Sequence, residues 1–467
     1  MTTTFAAAAL EVPGDLRVVL REVPPADARE TLRRASRLVS RRVGIIRDVR
    51  PTATCAEDPA IFSFGATTSS LSLSPRIASS GKTGGAGETI EAAAAAAIGE
   101  AVERYSTLFY DKSQMILAAW RDLHEPAVPP DLLRLFSRQQ VAQPGRRGRL
   151  DYFDEDSRIH WAWGWSLTQN RARLVPAALV YLGYEVDPEE AAIGSNASTG
   201  LAAGLTLEAA ILSGLYEVVE RDAFAISWLF RHVRRKVLVD DAELRAKLQA
   251  AFASDRSDVS LELFDLTVDV PICSMLAILR RPAEFGPAVC LSAAARLSPP
   301  AAVRKCLVEL GQGLPYLRFM MAQLREWVPL PDHSDLTTFD HHVMLYNKQP
   351  QLADAALAFY RDAGAEPLSA IPQLATGRLK GDVERCVDLL AQAGHEVIVV
   401  DITTPDVRAA GFSVVRVLVP GLIPLHSNHR LPHLGVERLR EVPWRFGWVE
   451  RGRDPLATIN RLPHPFP

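Results

Sequence analysis

The chain has 467 residues, 48% of them hydrophobic and 23% charged, the balance of a globular protein with a sizeable core. A formal net charge of -3, with acids and bases interspersed, lacks the basic footprint that nucleic acid or an anionic membrane requires. The apolar stretch of MTTTFAAAALEVPGD is short and has no basic leader, and no run of about 18 uncharged apolar residues follows, so neither a signal peptide nor a membrane span is expected. Cys55, Cys273, Cys290, Cys306 and Cys386 are odd in number and scattered, as expected of reduced thiols in a cytoplasm.

In chain order, residues 26–40 form an amphipathic helical segment, and residues 62–74, FSFGATTSSLSLS, have strand composition. Residues 79–87, SSGKTGGAG, are expected as a glycine-rich turn feeding an Ala-rich helix over 89–110. Residues 125–150 carry prolines, glycines and the basic run RRGR, and are expected as an exposed excursion. LVPAALVYLGY is strand-like, and GSNASTGLAAG is a second loop of small residues that opens a helix over 206–231. Strands are expected around Val237, Leu261, Ile272 and Val289, with helices around Asp241 and over 299–312. GDVERCVDLLAQAGHEVIVVDIT is a helix, a turn and an apolar strand, VVRVLVPG is another strand, and the chain closes with RLPHPFP. The expected fold is therefore mixed α/β, with a helical segment over 1–55 and one large unit over 56–467.

Glu-x-x-Glu-Arg occurs twice, 117 residues apart, within the two helices that the loops of small residues introduce. Helical spacing puts Glu100, Glu103 and Arg104 on one face, and likewise Glu217, Glu220 and Arg221. These faces are shared with Ala93, Ala96, Ala97 and Thr107 in the first helix, and with Ala210, Ser213, Gly214 and Phe224 in the second, rather than with the long polar residues of a wet face. Four carboxylates brought together there repel by about 4 kcal/mol per pair at about 4 Å, so the cluster needs cations or must protonate. Oxygen ligands without paired His or Cys suit Mg²⁺, which is commonly shared with phosphates, and the small-residue loops offer backbone N–H groups for those phosphates. A P-loop fails, because the first glycine that SSGKT would need falls on Arg76.

These stretches, GGAGETIEAAAAAAIGEAVERYS, SNASTGLAAGLTLEAAILSGLYEVVERDAFAISW and AAVRKCLVELGQG, resemble the YcaO family over most of residues 60–467. The resemblance implies a mixed α/β fold with internal pseudosymmetry and a site for ATP and Mg²⁺. It implies Glu100, Glu103, Glu217 and Glu220 as Mg²⁺ ligands, and Arg104, Arg221, Lys305, Glu309, Gln312, Ser195, Asn196 and Lys82 as nucleotide contacts. The chain departs from the family pattern in four ways. Lys305 stands where Arg is common and loses the bidentate fork, Ala86 interrupts a usual Gly-Lys-Gly, and Leu205 and Ala209 replace polar residues.

Pro463, Pro465 and Pro467 form a P-x-P-x-P ending that resembles the tail of azoline-forming YcaO cyclodehydratases. Alternate prolines stiffen such a segment, and the resemblance implies Pro467 as the catalytic residue, its carboxylate taking a proton. The resemblance further implies a ribosomal precursor peptide as substrate, a separate leader-binding partner resembling ubiquitin-activating enzymes, and a homodimer. Thioamide or macroamidine formation, and a catalytically degenerate scaffold, remain as alternatives. His426 and His429 have metal-like spacing without a third ligand in sequence, and His341 and His342 are expected as packing or helix-start residues.

Overall fold

The computed structural model describes residues 12–25, 27–69, 81–143, 148–194, 197–252 and 258–466. Helix α1 (Ala28–Ala35) starts at Asp27, whose side chain accepts the Arg29 N–H as an N-cap. Strands β1 (Ile46–Pro51), β2 (Phe62–Thr68) and β3 (Lys82–Gly87) form an antiparallel sheet in that order. β1 lies before residue 55 and pairs with β2 beyond it, Val49 facing Ala66. Two residues after β3, the Thr89 hydroxyl accepts the Ala92 N–H and opens helix α2 (Ile90–Ser106).

Next come β4 (Ile116–Ala118), β5 (Ile159–Ser166), β6 (Arg171–Pro176) and β7 (Leu201–Gly204), then α3 (Leu207–Phe230), capped by Thr206 and closed by Arg231 in the left-handed conformation. The following segment contains β8 (Arg235–Leu238), β9 (Ser260–Asp265), β10 (Cys273–Arg280), β11 (Val289–Arg296), α4 (Pro299–Gln323), α5 (Phe339–Lys348) and β12 (Ala365–Pro367). The chain ends through α6 (Leu379–Gln392), β13 (Ile398–Asp401), β14 (Ser413–Leu418) and α7 (Arg438–Arg445).

A second sheet has the order β4-β5-β13-β14-β7 with β6 on β5, and a third has the order β11-β10-β9-β8-β12. Helix α3 lies between these two sheets, packing on β14 and β7 and also on β10 and β11. That position explains why α3 is apolar nearly all round, with Ile211, Leu215, Phe224 and Ile226 fully enclosed. The architecture is the mixed α/β fold expected from the sequence.

Several local expectations change. Within 79–87 and 194–204 the described residues are not only turns, because β3 and β7 are strands. The glycines serve close packing: a Cβ on Gly85 would lie 2.0 Å from the Ala97 nitrogen of α2, and one on Gly200 would lie 2.1 Å from the Val417 carbonyl oxygen. The 125–150 excursion is packed rather than exposed, since Val128, Leu133, Leu135 and Phe136 are buried. They are held there by close approach, a Cβ on Gly435 meeting the Phe136 backbone at 2.5 Å. Residues 144–147 lie outside the described residues, while Arg149 pairs with Asp151 at 2.8 Å. The strand expected in LVPAALVYLGY ends at Pro176 and turns into a short helix over Ala177–Val180. The helix expected to stop at 312 runs on to Gln323, because Pro315 is accommodated inside it with Leu310, Leu314 and Leu317 buried around it.

Candidate functional site

Three strand–helix units converge, one more than the doubled motif predicts. β3, β7 and β11 each end two residues before a Thr or Ser at a helix start: Thr89, Thr206 and Ser298. Eleven residues after each start stands a glutamate, Glu100, Glu217 or Glu309, and three further on stand Glu103, Glu220 and Gln312. These intervals keep each pair on one helical face. The seventh position of each unit, Ala96, Ser213 and Lys305, has solvent access one turn before the glutamate. That third unit is weakly marked in sequence, since its arginine position is Gly313 and Ser298 makes no side-chain cap.

The backbone holds the outer acids. The Gly84 N–H donates to the Glu100 carboxylate at 2.9 Å, and the Gly200 N–H donates to Glu217 at 3.1 Å. Arg104 pairs with Glu100 at 3.6 Å and Glu103 at 3.9 Å, while Arg221 pairs with Glu217 at 3.5 Å and Glu220 at 3.2 Å. Lys305 pairs with Glu309 at 3.1 Å, and the Gln312 amide covers Gly84, where an added Cβ would lie 2.8 Å from its nitrogen. Lys82 starts β3 with its ammonium 5.8 Å from the Phe319 ring centroid. Ser195, Asn196 and Pro467 lie outside the described residues.

Glu103 and Glu220 sit deeper, with side chains 15% and 7% exposed against 32% for Glu100 and 25% for Glu217. Burial pushes the Glu103 carboxyl up to about 8; Arg104 opposes that rise, and Glu217 and Glu100 add to it. Burial likewise pushes Glu220 up to about 8 against Arg221, with Glu309 and Glu217 adding. Each inner acid thus feels a glutamate from a different helix, which establishes that the three faces meet.

Arg416 was not marked as functional by sequence reasoning. It lies on β14 opposite Leu201 of β7, and burial pulls it down to about 10 against the fields of Glu217 and Glu103. One guanidinium nitrogen donates to the Ala197 carbonyl at 2.9 Å, but its Nε and Nη1 are buried without a hydrogen-bond acceptor. The signal was an arginine inside the otherwise apolar strand VVRVLV, where a buried charge needs a reason. An apolar cavity of about 60 Å³, lined by Leu132, Leu179, Val218 and Val419 among others, adjoins Arg416.

The donor set fits Mg²⁺ and a phosphorylated ligand. It is rich in carboxylate oxygens, and two buried N–H nitrogens of Arg416 lack an acceptor that would satisfy them. Among the described residues no three of the glutamates bring oxygens within 4.8 Å of one another. They ring a space wider than one ion's shell, as suits metal shared with phosphate oxygens. A tighter group elsewhere, His160, Asp187 and Glu190, already holds a cation, the Lys112 ammonium at 2.8 Å from Asp187 and 3.1 Å from Glu190.

The tail reaches the same place. Residues 463–466 are buried, and the Phe466 ring packs 4.6 Å from Phe224 and over the Arg221 guanidinium. The histidines also gather: His342, expected to have only a packing or helix-start part, is fully enclosed and stacks on His464 at 4.1 Å, and His426 and His429 lie edge-on to it at 6.1 Å. The partners missing near His426 in sequence are supplied by distant segments. Among the described residues, these rings do not meet the spacing of a three-ligand metal group.

The family model described as YcaO cyclodehydratase, ATP- and Mg²⁺-binding, matches residues 84–423. An uncharacterized protein of Methanothermobacter thermautotrophicus is 28% identical over 346 residues, 72% of this chain and 80% of that protein. A solved heterocyclase in complex with substrate and cofactor is similar at 27% identity and TM-score 0.76, over 96% of this chain and 59% of its own. The heterocyclase TruD is similar at 25% identity and TM-score 0.67, over 96% of this chain and 55% of its own. The chain therefore spans less than three-fifths of the length of these two heterocyclases. The YcaO of Methanopyrus kandleri, solved with AMPPCP and Mg²⁺, has the same fold at 23% identity and TM-score 0.59, over 85% of this chain and 92% of its own.

Proposed function

The chain belongs to the YcaO cyclodehydratase family, enzymes that bind ATP and Mg²⁺, and from that membership we propose that it is an ATP-dependent cyclodehydratase acting on a ribosomal precursor peptide. In this reading a Cys, Ser or Thr side chain of the peptide attacks the preceding amide carbon, and its proton is removed as the new ring bond forms. When bound, Mg²⁺·ATP supplies the γ-phosphoryl group that makes the former amide oxygen a leaving group, so that phosphate departs, the amide N–H proton is lost and an azoline remains. The catalytic unit is residues 56–467, and its last seven residues form the working tail.

The observation that carries the reading is the meeting of Glu100, Glu103, Glu217, Glu220 and Glu309 beside the buried Arg416 guanidinium, whose Nε and Nη1 lack an acceptor. Glu100, Glu103, Glu217 and Glu220 would hold Mg²⁺. Arg104, Arg221 and Arg416 would neutralise phosphate oxygens in a water-poor site, where preorganised charge is most effective. Lys305, Glu309, Gln312, Lys82, Ser195 and Asn196 would complete the nucleotide contacts. Pro467 follows Phe466, which already lies on Arg221, and its carboxylate would take the proton from the attacking side chain. Extending the chain by one residue is then expected to lower turnover while nucleotide binding survives.

A separate leader-presenting protein, resembling ubiquitin-activating enzymes, would deliver the peptide to a homodimer. Incubation with ATP, that partner and a candidate peptide tests the reading. Peptide-dependent phosphate release with loss of one water per modified residue supports it, and sulfur-for-oxygen exchange would mark thioamide chemistry instead. A scaffold reading is favoured by the apolar, buried Ala86 and Leu205. ATP turnover that stays at background with peptide and partner present would select it.

A further inference from the structure

We propose that Trp228, Tyr346 and His342 are positioning residues, a set of side-chain donors that holds the terminal segment against Arg221. The inference deepens the reading above and rests on it where turnover is concerned.

The argument begins with the prolines. Pro463 and Pro465 have no N–H, so the segment cannot pair as a strand does and can be fixed chiefly through its carbonyls. Three successive carbonyls each meet a side-chain donor. The Trp228 indole N–H donates to Leu462 at 3.1 Å, the Tyr346 hydroxyl donates to Pro463, and the His342 Nδ1–H donates to His464 at 2.9 Å. Trp228 comes from α3, the helix that carries Glu217, Glu220 and Arg221, while Tyr346 and His342 lie one turn apart on α5. All three donors are buried. The same segment also donates, His464 Nε2–H giving a 2.7 Å bond to the His426 carbonyl.

Because carbonyls only accept, these bonds dictate the tautomers: His342 carries its proton on Nδ1 and His464 on Nε2. The opposite ring nitrogens, Nε2 of His342 and Nδ1 of His464, are buried and make no well-formed hydrogen bond. Burial lowers His342 well below the usual imidazole range and His464 to about 4, so both rings stay neutral donors at neutral pH. Stacking of His342 on His464 and packing of Phe466 on Phe224 then place the Phe466 ring 4.5 Å from the Arg221 guanidinium carbon. Four hydrogen bonds and three ring contacts hold residues 462–466, far more than a frayed segment makes.

The test uses the full chain and two variants that keep aromatic volume, His342→Phe and Tyr346→Phe, with His342→Asn as the conservative variant whose amide nitrogen takes the place of Nδ1. Trypsin cleavage after Arg461 frees the hexapeptide of residues 462–467, and mass spectrometry follows its appearance. His342→Phe and Tyr346→Phe are expected to speed its release by about tenfold or more, as the loss of a buried hydrogen bond implies. They should also lower kcat with the KM for ATP unchanged, while His342→Asn stays near wild type on both counts. Hexapeptide release unchanged in both Phe variants would overturn the proposal. Faster release with undiminished kcat would overturn the positioning role and leave only a structural hold. If the wild type turns over no peptide, the proposed function fails on its own, and the release rates still decide whether these donors hold the tail.

Discussion

The Phe466 ring lies over the Arg221 guanidinium, 4.5 Å from centroid to Cζ, although the two residues are far apart in sequence. Arg221 is also paired with Glu217 and Glu220, so the terminal segment and the acid cluster share one cation.

Removing that ring should be felt in turnover. A desolvated aromatic–guanidinium contact is worth about 1–2 kcal/mol, so Phe466→Ala is expected to lower peptide-dependent phosphate release roughly tenfold. Phe466→Tyr should retain most of it. Steady-state phosphate assays on the three proteins make the comparison, and equal rates for Phe466→Ala and wild type would refute it.

Metal binding should depend on pH in a defined direction. Glu103 and Glu220 are pushed up to about 8 by burial, so without a cation each holds its proton at neutral pH. A cation competes with those protons, so affinity for Mg²⁺·ATP should rise as pH climbs toward about 8 and then level off. Binding should release protons near pH 7. Calorimetry in two buffers of different ionisation enthalpy reads that release directly, and identical apparent enthalpies would contradict the expectation.

Two glycines, one on β3 packed against α2 and one on the open face of α2, should respond oppositely to alanine. A Cβ on Gly85 would lie 2.0 Å from backbone nitrogen of α2, so Gly85→Ala is expected to destabilise by about 3 kcal/mol. Gly99, inside α2, has nothing within 4 Å of the added Cβ, and Gly99→Ala should stabilise by about 0.5–1 kcal/mol through helix propensity. Thermal unfolding of both variants checks the pair, and a shift of the same sign in both would refute the packing argument.

Arg438 anchors α7 to the site-bearing helix. It pairs with Asp222 of α3 at 2.8 Å and with Asp269, and all three side chains are buried. The Arg438 and Arg445 guanidiniums hold the Asp269 carboxyl down at about 2 against its burial. Arg438→Met would leave two buried carboxylates without their shared partner, at a cost of about 3–5 kcal/mol. Adding Asp222→Asn and Asp269→Asn should recover part of it. Urea unfolding would show this, and a loss below about 1 kcal/mol would argue that α7 carries little of the fold.

The acidic faces of α2 and α3 were legible because helical period alone aligns Glu100 with Glu103 and Glu217 with Glu220. Their burial was legible too, in the small residues beside them. The strands β3 and β7 were not, since glycine is a poor strand former in isolation and only a helix lying on Gly85 or β14 lying on Gly200 makes its missing side chain an advantage. Nor was the packed 125–150 stretch, whose prolines mimic an exposed loop until Phe136 is seen against Gly435.

By itself, then, the amino-acid order determined the helical faces, the mixed fold class and the kinship of the chain, because these depend on residue spacing over short distances. The resemblance already put Glu309 in the nucleotide site; the tertiary structure decided that it acts on Glu220, that Arg416 stands between two of the acidic faces, and that Leu462, Pro463 and His464 find donors on α3 and α5. Those relations depend on which distant surfaces are driven together by burial, and no local pattern in the chain encodes that distance.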